Sequence, residues 1–216
     1  MDGWGVKSPV ERSNARGAAR ASRVIRRSAA GQAGAIMSPV ASLRPAGPRD
    51  ADFLGSMLAA AVNWDGDRPG LTPPEVMADP RLAAYVTGWP RAGEAGVVAE
   101  ADEPVGAAWW RRFPAEAPGY GFVDAETPEL AIGVAPEARG MGLGGRLLAG
   151  LVARARAEGL AALSLSVRPG NRRAIRLYER AGFMTVGRHG PSHTMRLGLR
   201  PAAPPGARAQ APQLRR

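Results

Sequence analysis

Apolar and polar positions in the middle of the chain follow periods that predict both helices and strands. Apolar residues three and four apart predict helices over 50–63, 143–158 and 172–181, and Pro73 and Pro74 are typical of the first turn of a short helix. Short apolar or alternating runs predict strands at 40–43, 97–101, 105–111, 130–134, 163–167, 183–187 and 194–199. This order of elements predicts a mixed α/β domain over residues 38–200, without an internal repeat.

The two ends of the chain differ from this middle part in composition. Residues 1–37 are rich in Ala, Arg, Gly and Ser without a sustained period, which predicts a disordered basic leader. A transit peptide and a translation start at Met37 are the alternatives for this segment. Residues 201–216 are rich in proline and are predicted to be a disordered tail.

Charge and cysteine content narrow the classes of function. The net charge of +10 comes mainly from seven basic residues in 1–36 and four arginines in 200–216, so the middle is close to neutral. Nucleic-acid binding is therefore expected only as nonspecific contact by the ends. The absence of cysteine excludes disulfides, thiolate metal sites and a cysteine nucleophile. No apolar run has the roughly 18 residues of a membrane span, and we expect a cytoplasmic protein without a membrane partner.

A glycine-rich segment follows the strand predicted at 130–134. It reads Pro-Glu-Ala-Arg-Gly-Met-Gly-Leu-Gly-Gly over 136–145 and leads directly into the longest helix. Unpaired backbone N–H groups at a helix N-terminus favour an anion, and glycines let a phosphate approach the backbone. Arg139 and Arg146 add positive charge, so the segment predicts a diphosphate site. Gly133, within the strand, indicates a bulge or a close ligand approach.

Other nucleotide-binding loops share this arrangement. Gly140, Gly142 and Gly145 also satisfy the dinucleotide pattern G-x-G-x-x-G. Against that alternative, residues 135–139 separate the glycines from their strand, and the next strand ends at Val167 without the acidic residue that holds a ribose. A Walker loop is excluded because no Gly-Lys-Ser or Gly-Lys-Thr follows.

Two motifs resemble those of a known family. Residues 139–144, Arg-Gly-Met-Gly-Leu-Gly, are similar to the Q/R-x-x-G-x-G/A signature of the GNAT superfamily of N-acetyltransferases. Residues 171–183 resemble its second coenzyme-binding segment, N-x-x-A-x-x-L-Y-E-x-x-G-F. The resemblance is strong over 130–187. It implies the GNAT fold, a twisted, mostly antiparallel sheet of six to seven strands flanked by helices and splayed where the coenzyme binds.

The resemblance also implies an activity and a set of site residues. The expected reaction is transfer of an acetyl group from acetyl-CoA to a primary amine of a small molecule or protein, directly within a ternary complex and without a metal. Tyr178 would be the general acid and Glu129 the general base, acting through water. The residues implied in coenzyme binding are Ile132 and Val134 through their main chain, Arg139, Gly140, Gly142, Gly144 and Gly145 at the diphosphate, and Asn171 at the pantetheine arm.

Several assignments keep alternatives. Tyr178 has helical spacing with Ala174 and Leu177, which also fits a core tyrosine. Three other carboxylates compete with Glu129 for the role of base, namely Asp124, Glu126 and Glu100. His189 and His193 are expected at the surface, without metal-ligand partners.

The aromatic residues and the activity itself also allow second interpretations. An acceptor pocket and ordinary core packing are both consistent with the aromatic residues Trp64, Tyr85, Trp89, Trp109 and Trp110. A non-catalytic acyl-CoA-binding module of the same fold is the alternative function. A homodimer remains open.

Overall fold

The computed structural model describes residues 41–66 and 69–199, which contain one sheet and the helices that cover it. The strands are β1 (Ser42–Pro45), β2 (Ala95–Glu100), β3 (Pro104–Arg111), β4 (Glu129–Val134), β5 (Ala162–Val167), β6 (Met184–His189) and β7 (Ser192–Gly198). The helices are α1 (Ala51–Val62), α2 (Pro73–Ala78), α3 (Pro80–Ala83), α4 (Leu143–Ala157) and α5 (Arg172–Arg180), with 3-10 turns at Pro48–Asp50 and Pro136–Ala138.

The sheet is antiparallel except at its centre. Its strand order is β1-β2-β3-β4-β5-β7-β6, and β4 and β5 are the parallel neighbours. These two strands are bridged at Glu129 and Ser164, and beyond that bridge they diverge. The predicted mostly antiparallel sheet of the GNAT fold is confirmed, with seven strands and with the expected splay between β4 and β5.

Helices α1 and α4 cover opposite faces of the sheet. Gly133 of β4 packs under the backbone of α1, because a Cβ at this position would collide with the Met57 carbonyl. Gly106 of β3 faces Leu147 of α4 instead. Gly106 pairs with Val134, the residue next to Gly133, and successive residues of a strand point to opposite faces. The bulge predicted at Gly133 is therefore wrong: the β3–β4 register is regular, and a helix packs closely against this residue. A close ligand approach at Gly133 stays a prediction, since this residue also lines the cavity described below.

Three of the aromatic residues belong to the core. Trp109 and Trp110 are fully buried on β3, and their indole N–H groups donate to the carbonyl oxygens of Tyr85 at 2.8 Å and Gly93 at 2.9 Å. The indole of Trp89 donates to the Gly47 carbonyl at 3.1 Å. Buried tryptophans whose N–H groups are satisfied by the backbone fix the loops around the sheet.

The predicted elements agree with the observed ones to within two residues at nearly every end, and α3 was not predicted. The predictions of a disordered leader at 1–37 and a disordered tail at 201–216 concern residues outside the described part of the chain. Within the described residues, no helix combines the length and apolarity that crossing a membrane requires.

Candidate active site

A cavity of about 1180 Å³ opens where β4 and β5 diverge. Its floor is β4, from Glu129 at one end to Val134 at the other. Six residues of a strand span about 17 Å, so the two ends of the cavity are well separated. The glycine-rich segment and α5 border the end near Val134. Residues of α3, Tyr120 and the β6–β7 turn border the end near Glu129.

The edge of β4 that faces β5 offers main-chain groups to the cavity. Pro128 uses its carbonyl to accept from Ser164 N of β5, whereas Ala135 N donates to Val105 of β3. Because the direction of main-chain groups alternates along a strand, residues 130, 132 and 134 point their N–H and C=O groups toward β5. Beyond the single bridge they have no strand partner. Ile132 and Val134 thus direct main-chain groups into the splay, where the Val134 carbonyl accepts from Arg139 Nε.

The glycine-rich segment ends at the N-terminus of α4. Gly140 and Gly142 have φ values of +89° and +76°, a left-handed conformation that favours glycine. Gly142 is the N-cap residue, and its carbonyl accepts from Gly145 N and Arg146 N. In the described part of the chain, no acceptor takes the backbone N–H groups of residues 140–144. A phosphate group fits such a cluster of free amides at a positive helix end.

The cavity has a cationic lining. Among the described residues it contains the arginines Arg81, Arg139, Arg168, Arg173 and Arg180, against the carboxylates of Asp65 and Glu129. The Arg139 side chain, however, is used within the protein: its Nη2 donates to the Ala60 carbonyl at 2.8 Å and its Nε to the Val134 carbonyl at 3.2 Å. It fastens the end of α1 to the end of β4. Arg146 instead donates to the Ala41 carbonyl and does not line the cavity.

Glu129 lies at the narrow end of the splay and is 2% exposed. Its Oε1 accepts from the Tyr85 hydroxyl at 2.5 Å and from Gly121 N at 2.7 Å. Its Oε2 is buried with no hydrogen-bond partner in the described part of the protein. That oxygen packs against Gly119, where a Cβ would collide with it. The loop over 119–121 therefore holds the carboxyl group through one oxygen and leaves the other unpaired.

Burial raises the pKa of Glu129 to about 7, although the hydrogen bonds from Tyr85 and Gly121 and the charge of Arg81 oppose the rise. A carboxyl group with this pKa exchanges its proton near neutral pH, which suits a general base. Burial and the adjacent Glu129 also raise the pKa of the Tyr85 hydroxyl well above its ordinary value. Tyr85 therefore stays protonated and acts as a donor to Glu129.

Tyr178 lies on α5 and lines the same cavity. Its ring packs against Phe183 with centroids 5.8 Å apart, and burial raises the pKa of its hydroxyl. Among residues 41–66 and 69–199 no group forms a hydrogen bond with that hydroxyl. Asn171 lines the cavity too, and its Oδ1 caps α5 by accepting from Ala174 N at 3.1 Å.

The competing carboxylates lie elsewhere. Asp124 caps a turn by accepting from the backbone of Glu126 and Thr127, and Glu100 pairs with Arg44 at the β1–β2 edge. None of these three competitors borders the cavity. His189 does border it, whereas His193 does not. The described residues contain no group of three His, Asp or Glu residues suited to a metal ion.

Sequence reasoning missed three residues at the end of the cavity near Glu129. Tyr85 was noted only as one of several aromatic residues, and Tyr120 and Arg81 were not noted at all. Tyr120 comes from the loop before β4, Arg81 from the short helix α3 and Tyr85 from the turn after that helix. None of these segments has a periodic pattern or a motif. Only the Pro–Arg start of α3 after Asp79 carried a signal, since Asp79 caps that helix through the Arg81 and Leu82 amides.

The comparisons agree with this geometry. The acetyltransferase (GNAT) family model matches residues 61–183. A ribosomal-protein-alanine N-acetyltransferase from Brucella melitensis is 26% identical over 73% of this chain and 99% of that one, with a TM-score of 0.53. A phosphinothricin acetyltransferase from Sinorhizobium meliloti, solved in complex with acetyl-CoA, is 25% identical over 74% and 89%, with a TM-score of 0.52.

An N-acetyltransferase from Staphylococcus aureus shares the fold at 21% identity over 74% of this chain and 99% of that one, with a TM-score of 0.55. A comparison with curated protein sequences gives no significant match.

Proposed function

Because the chain belongs to the acetyltransferase (GNAT) family, whose model spans more than half of it, we propose that it transfers the acetyl group of acetyl-CoA to a primary amine. The observation that carries this proposal is the free edge of β4, which runs from a buried carboxyl group with a pKa near 7 to a cluster of unpaired amides. The solved relative from Sinorhizobium meliloti binds acetyl-CoA, which supports the same donor here.

The free amides of residues 140–144 would hold the diphosphate of the coenzyme, with Gly144 and Gly145 in the first turn of α4. The main-chain groups of Ile132 and Val134 would bind the pantetheine arm in the way that an added strand binds a sheet edge. Asn171 lies beside this path and keeps the start of α5 in place through its cap. Arg139 supports the site indirectly, because its guanidinium joins the ends of α1 and β4.

At the other end of β4, Glu129 would prepare the acceptor. An ammonium group has no lone pair and must lose a proton before it can attack, and the carboxylate of Glu129, which lines the cavity, would take that proton through a water molecule. Acetyl-CoA supplies an activated acetyl group in the form of a thioester. The amine nitrogen forms the new bond to the acetyl carbon, while the carbon–sulfur bond breaks directly within the ternary complex.

Tyr178 would complete the proton balance. The departing sulfur takes a proton from the Tyr178 hydroxyl, and the second proton that the nitrogen releases returns through water to the tyrosine. Burial raises the pKa of this hydroxyl, so it is protonated when the sulfur leaves. The hydroxyl lacks a hydrogen-bond partner among the described residues, which leaves it available for this role.

One experiment distinguishes the proposed transferase from the alternative function, a module that binds acyl-CoA without catalysis. Release of free thiol from acetyl-CoA is measured over a panel of small amines and of peptides with free N-terminal amines, with coenzyme binding measured by calorimetry. We expect binding together with amine-dependent release of thiol. Binding without release over the whole panel would favour the module, and the absence of binding would contradict both.

A further inference from the structure

The end of the cavity near Glu129 contains a cationic group that the transfer reaction does not require. Arg81 lies on α3 and borders the cavity, and its guanidinium carbon lies 4.3 Å from the centroid of the Tyr120 ring. One of its Nη atoms lies 3.3 Å from His189 Nε2 on the β6–β7 hairpin. Since a guanidinium group only donates, that histidine nitrogen accepts. The side chain is thus held from two sides, by an aromatic face and by a histidine.

The position of Arg81 relative to the base follows from a chain of contacts. The Tyr85 hydroxyl donates to Glu129 and accepts from Tyr120 N at 2.8 Å, and the rings of Tyr85 and Tyr120 stack with centroids 6.4 Å apart. Arg81 lies over the Tyr120 ring, one aromatic layer from the pair formed by Tyr85 and Glu129. Its charge acts on Glu129 through space, although the two do not form an ion pair.

The guanidinium group has donors to spare. Among the described residues, no carboxylate lies within ion-pair distance of Arg81, whereas Arg44 pairs with two carboxylates and Arg111 and Arg154 pair with one each. A guanidinium group offers five N–H donors in a planar fork that matches a carboxylate. Contact with the Tyr120 face restricts its orientation without using those donors. The group is preorganised to receive an anion from the cavity.

We propose that Arg81, oriented by Tyr120 and His189, binds an anionic group of the acceptor and selects small amines that carry a carboxylate, phosphonate or similar charge near the amino group. This inference rests on the proposed function and specifies its acceptor. With the amine at Glu129, an anion a few bonds away reaches Arg81. A neutral amine of the same size leaves the guanidinium without that partner.

The test compares matched acceptors that differ only in the anion. Glycine, leucine, glutamate and 2-aminoethylphosphonate are paired with glycinamide, leucinamide, glutamine amide and ethylamine, and kcat/KM is measured from thiol release with acetyl-CoA. Removing the carboxylate lowers the pKa of the amine and so increases the fraction of the amine that is unprotonated and reactive. This difference favours the neutral acceptors and therefore works against the expected result. We expect at least one anionic acceptor to exceed its neutral partner by about tenfold or more, as charge-assisted hydrogen bonds allow.

The variant Arg81→Gln should remove that preference: the ratio of kcat/KM between an anionic acceptor and its neutral partner should fall about tenfold, and any change in the ionisation of Glu129 affects both members of the pair and cancels in this ratio. Arg81→Lys should recover part of it, because it keeps the charge without the fork. Arg156→Gln is the matched control, since Arg156 is exposed on α4 and outside the cavity. Equal use of both members of every pair, or a preference that survives in Arg81→Gln, overturns the inference.

A binding measurement separates this inference from the proposed function. Each acceptor is titrated by calorimetry into protein saturated with coenzyme A, for the wild type and for Arg81→Gln. Selective binding of an anionic amine that depends on Arg81 supports the subsite even if no thiol is released, and in that case the proposed transfer fails alone. If anionic and neutral amines bind equally well and both lead to thiol release, the proposed transferase stands and the anion subsite at Arg81 is overturned. No binding of any anionic amine also overturns it.

Discussion

The buried carboxyl group of Glu129 leads to a prediction that stability measurements can check without knowledge of the acceptor. In Glu129→Gln, the amide oxygen can still accept from Tyr85 and Gly121, and the amide nitrogen takes the place of Oε2 beside Gly119. The substitution therefore keeps the shape and removes the titration. It adds a constant offset to stability from the unpaired amide N–H groups, but that offset does not depend on pH.

The sign and size of the effect follow from the pKa of Glu129. Burial raises it from 4.5 to about 7, so between these pH values the folded protein binds a proton that the unfolded chain has released. The wild type therefore loses stability as pH rises through this window. One pKa unit corresponds to about 1.4 kcal/mol, which gives a total of about 3 kcal/mol, most of it between pH 5 and pH 8.

The assay is urea unfolding of the wild type and Glu129→Gln at pH 5, 6, 7 and 8. We expect the wild type to lose about 2–3 kcal/mol relative to the variant from pH 5 to pH 8. In thermal unfolding this is a relative decrease of roughly 5–10 °C in Tm. Other titrating groups are common to both proteins and cancel in the comparison. Glu103→Gln, in the exposed turn before β3, controls for the loss of a carboxylate at a solvated position.

Parallel curves for the wild type and Glu129→Gln would refute the reasoning. A wild type that gains stability relative to the variant as pH rises would show that the hydrogen bonds from Tyr85 and Gly121 outweigh burial. The same ionisation predicts the rate: kcat/KM of the wild type should rise with pH up to about 7 and then level off, because the base must be unprotonated. An activity that is independent of pH from 5.5 to 7.5 would remove Glu129 from the role of base.

Three further predictions address the remaining groups of the site. Tyr178→Phe should lower kcat about 100-fold while coenzyme affinity, measured by calorimetry, stays unchanged. The Tm of this variant should change little, because the hydroxyl has no hydrogen-bond partner within residues 41–66 and 69–199. Unchanged turnover would leave Tyr178 a core residue. Gly142→Ala and Gly159→Ala both place alanine at a φ near +75°, which should lower the free energy of unfolding by about 1 kcal/mol in each case. Only Gly142→Ala should also weaken coenzyme A binding, by about tenfold or more in calorimetry. Equal affinities of the two variants would contradict the diphosphate site. Gly119→Ala should cost about 1–3 kcal/mol in urea unfolding because its Cβ meets Glu129, whereas Gly187→Ala, which has open space around it, should cost much less; the opposite order would contradict the packing described for Glu129.

The sequence predicted the part of the site that lies on regular elements. The spacing of apolar residues located β4 and α4, and the glycines between them marked a helix start with free amides. Both features depend on local chemistry, namely the pleat of a strand and the unpaired N–H groups of a helix end. The resemblance to the GNAT family, rather than this local chemistry, indicated Ile132, Val134 and Tyr178, and these residues line the same cavity as Gly142.

The other end of the cavity could not be predicted in this way. Arg81, Tyr85 and Tyr120 are brought together by contacts between residues that are far apart in sequence. One example is the hydrogen bond between Tyr85 and Glu129, 44 residues apart. The bulge predicted at Gly133 is wrong for the same reason, since this glycine makes room for the distant helix α1. Arg139 lies in the glycine-rich segment, but its guanidinium group donates to the carbonyl groups of Ala60 and Val134. No local pattern could indicate those two acceptors.

The divergence of β4 from β5 explains why backbone groups dominate one end of the site and side chains dominate the other. Along the free edge of β4, the proposed ligand is the pantetheine arm and the diphosphate of the coenzyme, and backbone groups would suffice to bind both. At Glu129 the strands are still paired and the loop over 119–121 encloses the carboxyl group. Its pKa depends on burial, on the side chains of Tyr85 and Arg81 and on the backbone N–H of Gly121. The donor site can therefore persist while the segments that contribute Arg81, Tyr85 and Tyr120 change, and a change in those segments alters the acceptor and the ionisation of the base together. In this protein, substitutions at Arg81 should consequently shift both the choice of acceptor and the pH at which the rate levels off, because removing its positive charge raises the pKa of Glu129 further.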